Sequence, residues 1–224
     1  MSNALLSVVF DYLNLAAVIL LSLSFHEFSH AFISYRLGDP TAKNMGRLTL
    51  NPLKHLDILG TIMMLVARIG WAKPVPINPM YYKNRKRGTM LVSLAGPLSN
   101  ILLATIFAFP LIYISYKYAQ YGLSSTHPII LLYNLSIMFF RININLAIFN
   151  ILPVPPLDGS KILSGILPQQ TYFRFMRYEN YIGIAFLIIV FIFPGQLYRV
   201  LSFLAAPVQN AILGLVNPIV GLFL

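Results

Sequence analysis

Long stretches without a charged residue constrain the fold of this chain more than any other feature. Six stretches of 15 to 29 residues account for most of the 224 residues; they are 12–26, 88–116, 118–140, 142–157, 180–198 and 200–224. About 20 apolar residues in a helix span a bilayer. Only 10% of the residues are charged, against about 25% in soluble domains. The sequence therefore predicts an α-helical polytopic membrane protein with about five to six transmembrane helices.

The basic residues are unevenly distributed along the chain. Of the 16 Lys and Arg residues, ten lie between Arg36 and Arg87 and three between Lys161 and Arg177. Cytoplasmic loops of membrane proteins carry such an excess, so we interpret the net charge of +10 as a topological signal and expect no nucleic-acid partner. The predicted crossings alternate in direction, starting from outside; they are 4–33, 88–117, 128–152, 180–198 and 200–224.

The apolar piece 58–70 lies between basic segments that we place on the same side of the membrane. Its 13 residues are too few to span a bilayer. The surrounding sequence is rich in Gly, Pro and Asn, which favours short strands and extended loops over helix. We therefore expect a membrane-associated β or re-entrant region over 35–87, after the first span at 1–34.

We see no second domain, so residues 1–224 are expected to form a single domain. Its other predicted parts are a second span at 88–117, a third span with an aspartate motif at 128–158, and C-terminal spans at 180–224. The apolar start of the chain is not preceded by basic residues, which favours a retained first span over a cleaved signal peptide.

The sequence His26-Glu27-Phe28-Ser29-His30 lies near the end of the first predicted span. Residues four apart lie on one face of a helix, so both imidazoles can bind one metal ion. Glu27 beside them can take a proton from water, whose pKa zinc lowers from about 15.7 to near 7. The absence of cysteine excludes Cys ligands and a thiol nucleophile. The alternative, residues that merely cap a helix, is disfavoured because ionisable groups inside a span are costly.

A catalytic zinc site uses three protein ligands, so a third ligand must come from elsewhere in the chain. Asp158 is the best candidate among the six carboxylates, because it follows the third span on the side where His26 and His30 emerge. Prolines break the helix before it, and Gly159 permits close backbone approach. The alternative is that Asp158 merely caps the helix expected at 160–167.

Taken together, three motifs resemble those of the site-2 proteases, intramembrane zinc metalloproteases that cleave transmembrane helices. The motifs are 26–30, Gly96-Pro97-Leu98-Ser99-Asn100 and the stretch from Asn150 to Gly159, and they occur in the family's order. The resemblance implies that His26, His30 and Asp158 bind one zinc ion and that Glu27 is the general acid/base. It also implies a β region near the site. The chain resembles a minimal member of the family, one without a PDZ or CBS domain.

Four further polar residues are weaker candidates. Asn100 and Asn150 could hydrogen-bond the substrate backbone or a developing oxyanion; for Asn100, a buried amide that joins helices is at least an equal alternative. For His55 we expect a solvated or capping role. Arg141 lies near the middle of the third span and should face the bundle interior or water, with its role open.

The motifs and the resemblance predict an intramembrane zinc metalloendopeptidase that hydrolyses peptide bonds in or near transmembrane segments of membrane-protein substrates. Two alternatives stay open: a metal-binding membrane transporter and a catalytically silent membrane scaffold. The predicted location is the cell membrane, as a multi-pass protein of the prokaryotic inner-membrane type, with the active site near the cytoplasmic side. The sequence does not predict an oligomeric state.

Overall fold

A computed structural model describes residues 3–58, 60, 72–121 and 128–224. Eight α-helices lie wholly within these residues, together with single 3-10 turns at Pro52–Lys54 and Pro79–Tyr81. The α-helices are α1 (Asn3–Arg36), α2 (Thr41–Asn44), α3 (Arg85–Tyr121), α4 (Pro128–Ile151), α5 (Asp158–Ile166), α6 (Gln169–Arg177), α7 (Glu179–Ile192) and α8 (Pro194–Gly221).

Four helices are long and apolar enough to cross a bilayer. They comprise Val8–Arg36, Arg85–Gln120, Pro128–Ile151 and Pro194–Gly221. A helical membrane protein is thus confirmed, but the described residues contain four such helices where the sequence predicted five or six. α7 is apolar with 14 residues, a length of about 21 Å at 1.5 Å per residue. That is shorter than the hydrocarbon core of about 30 Å.

α8 packs against α3 and α4. Phe186 in α7 packs on Phe149, close to the end of α4, with ring centroids 5.9 Å apart, and α8 begins soon afterwards at Pro194. Near the other end of α8, Asn217 accepts a hydrogen bond from Tyr116 of α3 at 3.1 Å. We call the end of the bundle where α1 ends and α3 begins the basic end, and the end where α3 finishes and α4 begins the opposite end.

The C-terminal helices differ in their bounds from the two crossings, 180–198 and 200–224, that the sequence predicted. The helix boundary lies at Phe193 and Pro194, because proline fits the first turn of a helix and breaks the preceding one. Arg199, which separates the two uncharged stretches, lies exposed within α8. The boundary inferred from charge was therefore not a structural boundary.

Small side chains allow close packing between α3, α4 and α8. Ala104 and Ala108 of α3 and Ala205 of α8 are fully buried in one cluster with Phe140 and Ile144 of α4. In a membrane, where lipid tails are as apolar as leucine, such close packing drives helix association. The cluster therefore fixes α3 and α4 beside each other, and both contribute to the site described below.

The described part of the expected β or re-entrant region contains turns and short helices but no strand. An isolated antiparallel bridge pairs Leu56 with Ala72. Within the apolar piece 58–70, Ile58 and Gly60 are helical, and the other residues of that piece lie outside the described ones. Prolines contribute to this outcome, because a residue without an N–H cannot donate to a β ladder. The β region is not confirmed.

A buried carboxylate fixes the turn after α1. Asp39 is fully buried and accepts hydrogen bonds from Ser34 Oγ at 2.8 Å, the Thr41 N–H at 2.9 Å and the Asn78 N–H at 2.7 Å. Tyr82 Oη shares a further hydrogen bond with Ser34 Oγ at 2.7 Å. Burial alone would raise the pKa of Asp39, but these hydrogen bonds outweigh it and hold the pKa below its usual value.

Replacing Asp39 with asparagine should lower the melting temperature at pH 7 by about 3–10 °C, because charge-assisted hydrogen bonds are lost. The folded pKa lies below the unfolded one, so the contribution of Asp39 is full above about pH 4 and is lost as the pH falls through the folded pKa. Thermal unfolding in detergent should thus show a smaller difference from wild type at pH 3. Asp11→Asn, at an exposed position of α1, is the control. A difference that does not change with pH would contradict this account.

Candidate metal centre

α1 and α5 bring three metal-ligand side chains together. The Nε2 atoms of His26 and His30 are 2.9 Å apart, and each lies 3.1 Å from Asp158 Oδ2. The side chains of His26, His30 and Asp158 are 5%, 7% and 12% exposed. The structure therefore places both histidines on one face of α1, as the spacing predicted, and brings Asp158 to them across 132 residues of sequence.

The other nitrogen of each imidazole is held by an oxygen of α3. His26 Nδ1 lies 2.6 Å from Asn100 Oδ1, and His30 Nδ1 lies 2.7 Å from the carbonyl oxygen of Val92. Both oxygens are acceptors, so the Nδ1 atoms carry the protons and the Nε2 lone pairs point toward Asp158. This is the arrangement of a metal-binding histidine, whose second nitrogen donates to an oxygen that fixes the ring.

A polar chain extends from His26 into the centre of the bundle. Asn100 Nδ2 donates to Asn143 Oδ1 at 2.8 Å, and Asn143 Nδ2 donates to Ser22 Oγ at 2.9 Å. Asn100, Asn143 and Ser22 are fully buried, so the chain connects α3, α4 and α1. Sequence reasoning missed Asn143 and Ser22, although a buried amide in an otherwise apolar span was an available signal.

Gly96 allows α3 to pass directly against the two histidines. A Cβ atom at this position would lie 2.5 Å from atoms of both the His26 and the His30 rings. Any side chain there would push the imidazoles from their present positions. The glycine of the second motif is therefore explained by contact with the first motif.

The chain between α4 and α5 places Asp158 opposite the histidines. A Cβ on Gly159 would lie 2.1 Å from the carbonyl oxygen of Ile151, so only glycine lets the start of α5 pack on the end of α4. Asp158 is the first residue of α5, and no side chain caps this helix. Its carboxylate contacts the imidazoles, which argues against the alternative that it merely caps the helix.

The Glu27 carboxylate contacts an extended segment that comes back to α1 from the predicted β region. We call residues 73–78 the extended segment, since they form neither helix nor strand. Glu27 Oε2 accepts a hydrogen bond from the Val75 N–H at 2.8 Å. Glu27 is half-buried and adjoins His26 in sequence, so the extended segment meets α1 at the residue next to a member of the three-ligand group.

Arg47 fixes the extended segment beside Glu27. This arginine is 7% exposed, and its Nη2 donates to the carbonyl oxygens of Lys73 and Pro74 at 2.7 and 3.4 Å. The following residue is Val75, the donor to Glu27. Sequence reasoning did not identify Arg47, because the ten basic residues of this region look alike when they are counted as loop charge.

The remaining predicted residues are placed as follows. Asn100 lies behind His26 with both ends of its amide engaged, which matches the alternative of a buried amide that joins helices. Asn150 donates to the carbonyl oxygen of Leu146 one turn earlier, at 2.9 Å, and its role in substrate binding stays a prediction. His55 is buried, with Nε2 2.8 Å from the carbonyl oxygen of Thr49, so it is not solvated; it is the C-cap residue of the 3-10 turn Pro52–Lys54, which agrees with the expected capping role.

The donor set fits a zinc ion. Imidazole nitrogens and a carboxylate oxygen are zinc ligands, and a catalytic zinc site uses three of them with one position open. His26, His30 and Asp158 offer donor atoms within 4.8 Å of one another, and the described residues contain no second such group. The group can therefore hold one metal ion.

Comparison with known proteins gives a consistent result. The model of peptidase family M50 matches residues 14–190. The chain is 40% identical over 176 residues to YwhC of Bacillus subtilis (strain 168), and the match covers 78% of each chain. It is 36% identical over 141 residues to MJ0611 of Methanocaldococcus jannaschii, a match that covers 62% of this chain and 63% of that relative.

A mycobacterial relative extends the comparison. Rip2 of Mycobacterium tuberculosis (strain H37Rv) is 30% identical over 181 residues, which cover 78% of this chain and 65% of the relative. The names of all three relatives describe them as zinc metalloproteases, an activity that these names give as inferred. No solved structure matches the chain.

Proposed function

Because the chain belongs to peptidase family M50, the site-2 proteases, we propose that it is an intramembrane zinc metalloendopeptidase. Its substrates are membrane proteins, which it cleaves in or near their transmembrane segments. The observation that carries this proposal is the convergence of His26, His30 and Asp158 beside the carboxylate of Glu27. A glutamate next to a three-ligand site is what hydrolysis requires, because it can accept a proton from water.

In this proposal His26, His30 and Asp158 hold zinc, and Glu27 carries the proton. A bound zinc ion supplies a Lewis acid that polarises the peptide carbonyl and lowers the pKa of water. Glu27 accepts the proton of the attacking water and passes it to the leaving amine nitrogen. The Val75 N–H occupies Oε2 of Glu27, which leaves Oε1 as the oxygen that takes the proton.

The substrate must expose its backbone before it can be attacked. A transmembrane helix hides its carbonyl groups in internal hydrogen bonds, so the segment around the scissile bond has to unwind. Edge pairing with extended backbone of the 37–84 region would be one way to hold such an unwound peptide. In the extended segment, however, few backbone N–H groups remain free to pair with a substrate. Two of its residues are prolines, and the N–H groups of Lys73, Val75 and Asn78 already donate hydrogen bonds within the protein. Pairing there is therefore limited to the backbone around Ile77.

Reconstituted protein and a single-span substrate test the proposal. The substrate carries glycine and asparagine in the half of its span that faces the basic end, and a matched substrate has leucine there. We expect one zinc per chain, cleavage of the first substrate in preference to the second, loss of cleavage with a zinc chelator and recovery when zinc is returned. Cleavage that survives complete removal of zinc would refute the mechanism.

The same preparation distinguishes the two alternatives. Metal flux across the proteoliposome membrane without any proteolysis would favour a transporter that uses the same ligands. A protein purified gently without zinc, and inactive after zinc is added, would favour a silent scaffold. Placement in the cell membrane with the site near the cytoplasmic side is part of the proposal, supported by the concentration of Lys and Arg at the basic end and by the general rule for such loops.

Arg47→Ala should reduce cleavage by about 10- to 100-fold, because release of the extended segment misplaces the Glu27 carboxylate. Zinc content should stay at one per chain, and the fall should appear in kcat more than in KM. Arg47→Lys, which can still donate to one carbonyl group, should recover part of the rate. Arg85→Ala, at an exposed position of α3, is the control. An unchanged kcat in Arg47→Ala would show that Arg47 does not position Glu27.

A further inference from the structure

A cavity lies between α3, α4 and α8, apart from the metal centre. Its volume is about 710 Å³, within the range of about 300–1,000 Å³ that is typical of ligand pockets. Apolar side chains form much of its wall, and polar groups come from all three helices: Ser115, Tyr116, Arg141, Gln209 and Asn217. The cavity thus combines the two kinds of surface that an amphiphilic ligand needs.

Among the described residues, Arg141 is the only charged one that lines this cavity. It lies 13 residues into α4, about 20 Å along the helix axis from Pro128, and therefore deep within a membrane-spanning helix. Its side chain is exposed, and within the described part of the chain the guanidinium has no hydrogen-bond or ion-pair partner. A charge at this depth is costly and is retained for function, paired with an anion or facing water.

The cavity does not belong to the metal centre. Asn143, which joins the polar chain behind His26, follows Arg141 by two residues, and two residues turn a helix by about 200°. Arg141 and Asn143 therefore lie on opposite faces of α4. A substrate segment held on Arg141 would have to pass around α4 to reach Asp158, so the cavity is poorly placed to hold the peptide during cleavage.

The direction of the Arg141 side chain leads toward the opposite end of the bundle. Helical side chains tilt toward the N-terminus of their helix, and α4 begins at Pro128 at that end. On this path the cavity is lined by Ser115 and Tyr116 of α3 and by Asn217 of α8. A long arginine side chain reaches toward the membrane surface in this way, so its guanidinium can meet a headgroup that enters from that end.

We propose that this cavity binds an anionic phospholipid, with the phosphate on Arg141 and an acyl chain along the apolar wall. A guanidinium fork matches two phosphate oxygens, and Gln209, Asn217 and Tyr116 supply further polar contacts. No acidic residue in the described part of the chain lines the cavity, so none of these residues neutralises the amine of a zwitterionic lipid. Charge complementarity therefore selects a net negative headgroup, and the proposal does not rest on protease activity.

Native mass spectrometry of delipidated protein in detergent tests this proposal, with phosphatidylglycerol, phosphatidylcholine and oleate as probes. We expect wild type to retain phosphatidylglycerol at least about tenfold more strongly than phosphatidylcholine. Arg141→Gln should lose about tenfold in phosphatidylglycerol binding, and Arg199→Gln, at an exposed position of α8 outside the cavity, should bind like wild type. Zinc content and melting temperature show whether each variant is folded.

Other results would overturn the proposal. Equal retention of phosphatidylglycerol by wild type and folded Arg141→Gln would do so, as would equal binding of the two phospholipids by wild type. Retention of oleate alone would show that the ligand is a free carboxylate. A single-span peptide with an aspartate in its apolar segment is a further probe. If binding of this peptide depends on Arg141 and binding of phosphatidylglycerol does not, the cavity belongs to a protein partner. If Arg141→Gln does not fold, Gln209→Leu replaces it and should weaken phosphatidylglycerol binding by about threefold.

Discussion

Replacing Glu27 with glutamine should reduce cleavage of a membrane-embedded substrate by about 10²- to 10⁴-fold, the usual contribution of a general acid/base. Glutamine keeps the size of the side chain, but its amide cannot take up the proton of the attacking water. Zinc should remain at one per chain, because the three proposed ligands are His26, His30 and Asp158. Rates in proteoliposomes and zinc by elemental analysis are the two measurements.

Glu179→Gln is the matched control, since Glu179 at the start of α7 is the only other glutamate of the chain. It should cleave like wild type. Undiminished cleavage by Glu27→Gln would remove Glu27 from the mechanism. Loss of zinc together with activity in that variant would show instead that the side chain supports the metal centre.

Asp158→Ala should lose both zinc and cleavage. Asp158 Oδ2 lies 3.1 Å from each of the two Nε2 atoms, so its removal leaves two imidazole donors where a catalytic site needs three ligands. We expect zinc near zero after dialysis against a chelator that wild type withstands, and cleavage below detection. Asp11→Ala changes an exposed carboxylate on α1 and should retain wild-type zinc.

Full zinc occupancy in Asp158→Ala would exclude Asp158 as a ligand. Zinc content distinguishes the role of Glu27 from that of Asp158, because we expect Glu27→Gln to keep zinc and Asp158→Ala to lose it. Two inactive variants that both keep zinc would place Asp158 outside the ligand set while leaving the acid/base role of Glu27 in force.

The three-ligand group was predictable because local rules determine most of it. The spacing of His26 and His30 places them on one helical face whatever the rest of the fold does. Asp158 followed from the small number of carboxylates and from its position after the third span. Because the chain has only six acidic residues, the need for a buried third metal ligand leaves few candidates.

The supporting contacts were not predictable from the sequence. Asn143 meets Ser22 across 121 residues, and Arg47 meets Lys73 through a backbone carbonyl group, which every residue possesses. No local pattern distinguishes a serine or an arginine that will find such a partner from one that will not. These contacts depend on how α1, α3 and α4 pack, which is a property of the whole bundle.

The C-terminal helices and the β region show a different limit. Charge divided the C-terminal sequence at Arg199, while backbone chemistry divides it at Pro194. Turn-forming residues indicated strands over 35–87, yet prolines and side-chain hydrogen bonds give extended backbone in the described part of that region. Hydropathy and charge report where a segment lies in a membrane, but they do not report which backbone donors are free.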